Sequence, residues 1–138
     1  VITHQKQPSR TSCGPTCVAM LVGKPAAEIL SLLPLVRQKK QTTKHSTSVA
    51  ELSRLLRSYD FILGMRWIGE DLWSFHGILR VHHRTPAGQF RQGWHWVVMS
   101  EGMIYDPSAT EVIEARWWFK QHQQDKVIFY DVAPTVKG

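Results

Sequence analysis

The chain changes character near residue 60, and that change restricts the folds open to it. Before it, apolar residues recur at helical spacing; after it, they come in short runs rich in aromatic and β-branched residues. The first helix opens at Cys13-Gly14-Pro15, where a proline just inside a helix start forfeits no hydrogen bond. Val18, Met20, Leu21 and Val22 continue it, and Gly23 ends it. A second helix is expected from Pro25 to Val36 through Ala26, Ile29, Leu30 and Leu33, broken at Pro34. Arg37 to Thr47 is a basic, Thr-rich connection, and Ser48 with Glu51 three residues on forms a capping box for a third helix carrying Val49, Leu52, Leu55 and Leu56.

The second half reads as strands. Phe61 to Ile68 is apolar and aromatic, Glu70 to Phe75 has the length of a helical turn, and Ile78 to His83 alternates like a partly exposed strand. Thr85 to Gly93, with Pro86, Gly88 and Gly93, is a loop. Trp94 to Met99 and Met103 to Tyr105 form two strands joined by a tight turn at Ser100-Glu101-Gly102. Glu111 to Gln124 reads as a helix and Lys126 to Val132 as a last strand. Helices first and strands afterwards predict an α+β domain whose N-terminal helices pack on a mostly antiparallel sheet. A length of 138 residues suits a single domain over 1–138, with a helical part at about 13–58 and a sheet part at about 61–132. With 43% hydrophobic and 20% charged residues the chain is globular, not disordered. No apolar run approaches the roughly 18 residues of a membrane span, and Val1 to Ser12 is too polar for a signal peptide.

A thiol at a helix start, a histidine in an apolar strand and an acid just after the next strand supply a nucleophile, a base and an orienter. Cys13 sits where unpaired N–H groups and the positive end of the helix dipole favour a thiolate. Gly14 lets the backbone approach a bound carbonyl and leaves the Cys13 N–H free as a donor, and the Gln7 side-chain amide can supply a second. The hairpin carries its own test. With Glu101 and Gly102 as the central turn residues, Val97 faces Asp106 and His95 lies diagonally on the same face; with Ser100 and Glu101 central, His95 faces Asp106 directly. Either register leaves Asp106 in reach of His95, since diagonal neighbours stand ~7–8 Å apart; an even offset would put the acid on the far face. Asp106 would then fix the tautomer of His95 and stabilise the imidazolium.

The pattern Gln-x5-Cys-Gly-Pro-x-Cys, followed by His-x-Val-Val and Asp-Pro, resembles the papain-like cysteine peptidase superfamily. It is most similar to the small peptidase domain with which bacteriocin-exporting ABC transporters remove leader peptides. The likeness runs from Gln7 to about Tyr130 and includes the helix start at Ser46 to Leu52. It implies a papain-like fold with Cys13 as nucleophile, His95 as base, Asp106 as orienter and Gln7 as oxyanion donor, acting on a peptide or protein substrate without a cofactor. The basic, His-containing stretch from Arg80 to Gln92 lies outside that pattern. Related domains also serve as bacterial effectors and toxins, some of which attack RNA, so likeness of fold leaves the substrate open.

The remaining residues set the alternatives. A net charge of +6 favours acidic partners and keeps RNA, tRNA in particular, as the rival substrate. The densest basic cluster, Arg37, Lys39, Lys40 and Lys44, falls in a polar connection. A non-catalytic binding domain on the same fold is the third reading. An effector or toxin would act in a reducing cytosol after delivery within a larger secreted protein, and its producer would carry an inhibitor (immunity) protein. One helical turn apart, Cys13 and Cys17 leave a disulfide and two free thiols both open; Cys17 is expected to be a small buried apolar residue beside the exposed Cys13. No metal site is expected: His82 and His83, adjacent on a strand, point to opposite faces, and His4, His45 and His122 read as surface residues. Gly14, Trp94 and Trp96 are candidate substrate contacts, the two indoles as core or cleft wall opposite His95. Of Trp117 and Trp118, one ring should pack inward, and the other, beside Arg116 and Lys120, would suit an acidic partner.

Overall fold

The computed structural model describes residues 2–37, 47–66, 71–91 and 93–135. Three helices come first: α1 (Cys13–Val22), α2 (Ala26–Val36) and α3 (Val49–Arg57). They are followed by β1 (Phe61–Arg66), β2 (His76–His82), β3 (His95–Ser100), β4 (Met103–Tyr105), β5 (Ile113–Glu114), α4 (Ala115–Gln121) and β6 (Lys126–Pro134). The six strands form one sheet in the order β1-β6-β2-β3-β4-β5, with every neighbouring pair antiparallel. The fold is therefore α+β, as the order of the sequence signals predicts. Lys39, Lys40, Lys44, His45 and Ser46 of the basic connection, and Trp67, Ile68, Glu70 and Gln92, lie outside the described residues.

Each helix follows from its local chemistry. Residues Cys13 to Leu21 of α1 are all buried, so this helix is wrapped by protein instead of presenting one apolar stripe. Its Thr16 hydroxyl is satisfied within the helix, donating to the Ser12 carbonyl at 2.7 Å. Gly23 ends it in the left-handed region (φ 72°), its N–H bonding the Ala19 carbonyl. The capping box of α3 is present in full: the Glu51 N–H donates to Ser48 Oγ and the Ser48 N–H to Glu51 Oε1.

Two boundaries differ from expectation. Pro34 does not break α2, which runs on to Val36 and closes with the Arg37 N–H on the Leu33 carbonyl at 3.2 Å. A proline this close to the end forfeits one hydrogen bond, and the buried Ile29 and Leu33 hold the helix against the core. The helix expected from Glu111 to Gln124 is shorter, because Ile113 and Glu114 pair with β4 as an edge strand and the Ala115 N–H bonds the Gly102 carbonyl at 2.8 Å. Ladder hydrogen bonds on an open sheet edge outweigh helix propensity for those two residues.

The central strands β2 and β3 are buried on both sides. Ile78, Trp96, Val98 and Val132 face the packed helices α1, α2 and α3. Leu79, Val81, Val97, Met99 and Ile104 face the other way, onto Phe75 and onto Ala115 and Trp118 of α4. This explains why Trp96 to Met99 reads as an unbroken apolar run and not as an alternation. Among the described residues no single helix is long and apolar enough to cross a membrane.

Candidate active site

The β3–β4 hairpin decides where the acid lies. Glu101 (φ 50°) and Gly102 (φ 75°) are its central turn residues, both left-handed as a primed two-residue turn requires. Ser100 faces Met103 and Val98 faces Tyr105, the first of the two registers considered. One step further on the ladder, Asp106 falls diagonal to His95 on the same face, and its Oδ1 accepts from His95 Nε2 at 2.7 Å. The same oxygen accepts from the Ser108 N–H at 2.8 Å and from Ser108 Oγ at 2.7 Å, an Asx turn that fixes the carboxylate.

Cys13 is the first residue of α1 and only 4% exposed. Its thiol is coupled electrostatically to His95, whose basicity it raises. With Nε2 engaged by Asp106, Nδ1 is the ring nitrogen left to the sulfur. The helix start carries no side-chain cap, because Ser12 Oγ turns back to donate to the Ser9 carbonyl at 2.9 Å. The first-turn N–H groups beside the thiol are thus not taken up by a capping oxygen.

Electrostatics follow from these contacts. Burial works against a charged His95, yet the hydrogen bonds and charges of Asp106 and Cys13 prevail and hold its pKa at about 9. Asp106 is likewise opposed by burial but lowered by the His95 and Ser108 hydrogen bonds. Burial pushes the Cys17 thiol well above its ordinary range, and the charges of Cys13 and Asp106 push the same way. Both cysteines are free, and Cys17 is fully buried.

Linkage gives His95 a testable sign. Its folded pKa of about 9 stands above the ordinary histidine value of ~6.5. Its contribution to stability is therefore complete below pH ~6.5 and lost as pH rises through about 9. Asp106→Asn keeps a hydrogen-bonding side chain but removes the charge, so the His95 ring titration followed by NMR should move down from about 9, and the alkaline loss of melting temperature should move with it. An unmoved titration would remove Asp106 as the cause.

Chain segments distant in sequence close the site. His4 Nε2 donates to the Asp106 carbonyl at 2.8 Å and the Gln7 N–H to the Pro107 carbonyl at 2.7 Å, laying the N-terminal segment along the acid. A cleft of about 700 Å³ opens over His95 and Asp106, with Gln7, Trp94, Arg10 and Arg91 in its walls. No protein-family model matches this chain, and no curated protein matches it either.

The structure brings Cys13, His95 and Asp106 together, and Gln7 lines the same cleft. Gln7 Nε2 donates one hydrogen to the Ser9 carbonyl at 2.9 Å, leaving its second N–H, while Oε1 is buried without a partner among the described residues. Of the candidate substrate contacts, Trp94 alone lines the cleft. Trp96 is fully buried among the helices, and the missing Cβ of Gly14 would lie 2.8 Å from the Thr47 Cβ, so that glycine serves close packing against α3 and its entry. Both indole N–H groups donate to one acceptor, the Thr47 carbonyl, at 3.0 and 2.8 Å. Cys13, expected to be exposed, is instead buried under the contacts that hold it. Trp118 packs inward and Trp117 is half exposed, with Arg116 and Lys120 each 5.4 Å from its ring.

Three polar contributors escape a reading by motif. Ser108 has a signal, since Asp-Pro-Ser is a sequence for an Asx turn. His4 has none, because its partner lies 102 residues away. His122, read as a surface residue, is half-buried with its ring stacked 4.1 Å from Trp118.

Proposed function

We propose that this chain is a papain-like cysteine hydrolase that cleaves peptide or amide bonds, with Cys13 as nucleophile, His95 as acid and base, and Asp106 as the group that orients His95. The observation that carries this reading is the His95–Asp106 hydrogen bond in an open cleft, with the Cys13 thiol close enough to raise the basicity of His95. Cys13 passes its thiol proton to His95 as Sγ attacks the substrate carbonyl carbon, and a C–S bond forms as the carbonyl oxygen takes up negative charge. The Cys13 N–H and the second Gln7 amide hydrogen are the donors for that oxyanion. The C–N bond then breaks as His95 passes its proton to the leaving nitrogen. His95 next takes a proton from water, whose oxygen displaces the thiolate and frees the acid product. Gln7→Ala should lower kcat ~100-fold with KM little changed, the signature of a donor used in the transition state.

Two free thiols and a net charge of +6 support a setting as a bacterial effector or toxin domain in a reducing cytosol, with an inhibitor protein in its producer. The test compares wild type, Cys13→Ala and His95→Ala in three assays: iodoacetamide labelling, digestion of a peptide library read by mass spectrometry, and incubation with total RNA. Labelling of Cys13 that depends on His95, with peptide cleavage lost in both variants, supports the reading. RNA cleavage that persists in Cys13→Ala and disappears in His95→Ala would replace it with a nuclease. Slow labelling insensitive to His95, with neither substrate cleaved, would leave a binding domain.

A further inference from the structure

The far wall of the cleft holds a second group of chemistry-bearing side chains that the proposed hydrolysis does not use. His82 at the end of β2 pairs with Lys126 at the start of β6, so the next residues outward, His83 and Asp125, face each other across the same ladder. His122 joins them through the turn after α4, in which the Asp125 N–H bonds the His122 carbonyl at 3.0 Å. Asp125 Oδ2 accepts from His83 Nδ1 at 3.0 Å and from His122 Nδ1 at 2.8 Å. Its other oxygen, Oδ1, is held by the Arg84 N–H at 2.9 Å. The carboxylate is thus fixed by backbone on one side and gathers two imidazoles on the other.

We propose that His83, His122 and Asp125 form a binding site for a divalent transition-metal ion of the zinc class. Their ligating atoms lie within 4.8 Å of one another, each from a different side chain. Ligands bound to one tetrahedral zinc at ~2.0–2.1 Å stand ~3.3 Å apart, so small movements suffice. Two imidazole nitrogens and one carboxylate oxygen select zinc, cobalt, nickel or copper over the oxygen-preferring magnesium and calcium. Three protein ligands leave a coordination position open, and His83 and His122 both line the cleft. Ligation through Nδ1 needs that nitrogen free of its proton, so the ion replaces the two hydrogen bonds to Oδ2.

Supports around the ligands hold them in place. The His122 ring stacks on Trp118 at 4.1 Å, and the His83 ring lies between His122 at 5.8 Å and His95 at 6.4 Å. Side-chain exposures of 39% for His83, 23% for His122 and 12% for Asp125 leave a path for an ion from solvent. Arg10 and Arg91 share the cleft but are exposed, so their repulsion acts through screened solvent while the coordination bonds act directly. The two adjacent histidines do point apart, as the strand geometry requires: His82 lies against Trp94 and His83 against His122. The partners of His83 come from the far end of the chain, which adjacency in sequence does not show.

The test uses the full chain carrying Cys13→Ala, so that the reactive thiol cannot serve as a ligand. Zinc titrated into it by calorimetry should bind at one site, with quenching of Trp118 fluorescence when copper replaces zinc. His122→Ala and Asp125→Asn should each weaken zinc ~100-fold or more, with melting curves confirming that both variants fold. His76→Ala, remote from the cluster, should leave affinity unchanged. Cobalt added to the wild type should give a spectrum without a thiolate charge-transfer band. Absence of binding, binding indifferent to His122 and Asp125, or a cobalt–thiolate band would overturn the proposal. None of these readouts depends on hydrolysis, so their failure and a failure of the hydrolase reading are separate results.

Discussion

Cys13→Ala should leave a folded protein whose cleavage of library peptides falls by a factor on the order of 10⁴ or more. The side chain is 4% exposed at the start of a buried helix, and alanine keeps the helix while removing only the sulfur. The cost in stability is therefore expected near ~1 kcal/mol, too little to account for the loss of rate. His95→Ala should approach the same floor, because a thiol without its base and a base without its thiol are equally unable to form the acyl intermediate. The decisive measurement is the double variant: Cys13→Ala combined with His95→Ala should be no slower than either alone, since residues that act as a unit are not additive. Losses that multiply would mean that the two act separately, and their proximity would then be incidental to the chemistry.

Gly77→Val should produce the largest loss of stability among single changes outside the site. Gly77 lies on β2, between β6 and β3, facing Asp131 on one side and Met99 on the other. A Cβ there would stand 2.2 Å from the Tyr130 carbonyl oxygen, 2.8 Å from the Asp131 Cα and 3.0 Å from the Val132 nitrogen. All three are backbone atoms, so no rotamer change relieves the overlap and the two central strands must separate. We expect a loss on the order of 3 kcal/mol or more, which for a domain of this size lowers the melting temperature by ~10 °C. Gly88→Ala is the matched control. Gly88 has φ 86° but nothing within 4 Å of its Cβ position, so it should cost only the ~1–2 kcal/mol of left-handed backbone strain. Thermal melts by circular dichroism separate the two, and equal costs would show that the sheet relieves the crowding at Gly77.

What the sequence made legible was what short-range chemistry determines. The Ser48 capping box, the Gly23 stop and the Glu101-Gly102 turn each involve residues within a few positions of one another, and each is present. The turn in turn sets the register, which is why the His95–Asp106 contact was accessible to a reading of the hairpin alone. What stayed illegible depends on distant partners. Ile113 and Glu114 become a strand only because β4 offers a free edge, and the exposure expected of Cys13 fails because the sheet covers the head of α1. Gly14 carries a second demand with no local mark: its lack of a Cβ makes room for Thr47 and Leu52. His122 looked like a surface residue because neither Trp118 stacking nor the facing of His83 and Asp125 has a local mark.

The base and its acid lie 11 residues apart across one hairpin, whereas the thiol belongs to the helical layer on the opposite side of the sheet. The two layers are tied at Thr47, whose carbonyl takes both indole N–H groups from the β3 segment. The site is thus built from two parts of unequal sequence range. The hairpin can pre-form its half from nearby residues, but the nucleophile meets it only when helices and sheet have closed on each other. On the proposed reading, reactivity of Cys13 is a gauge of tertiary completion: a chain still open between its layers would carry an oriented histidine and an idle thiol.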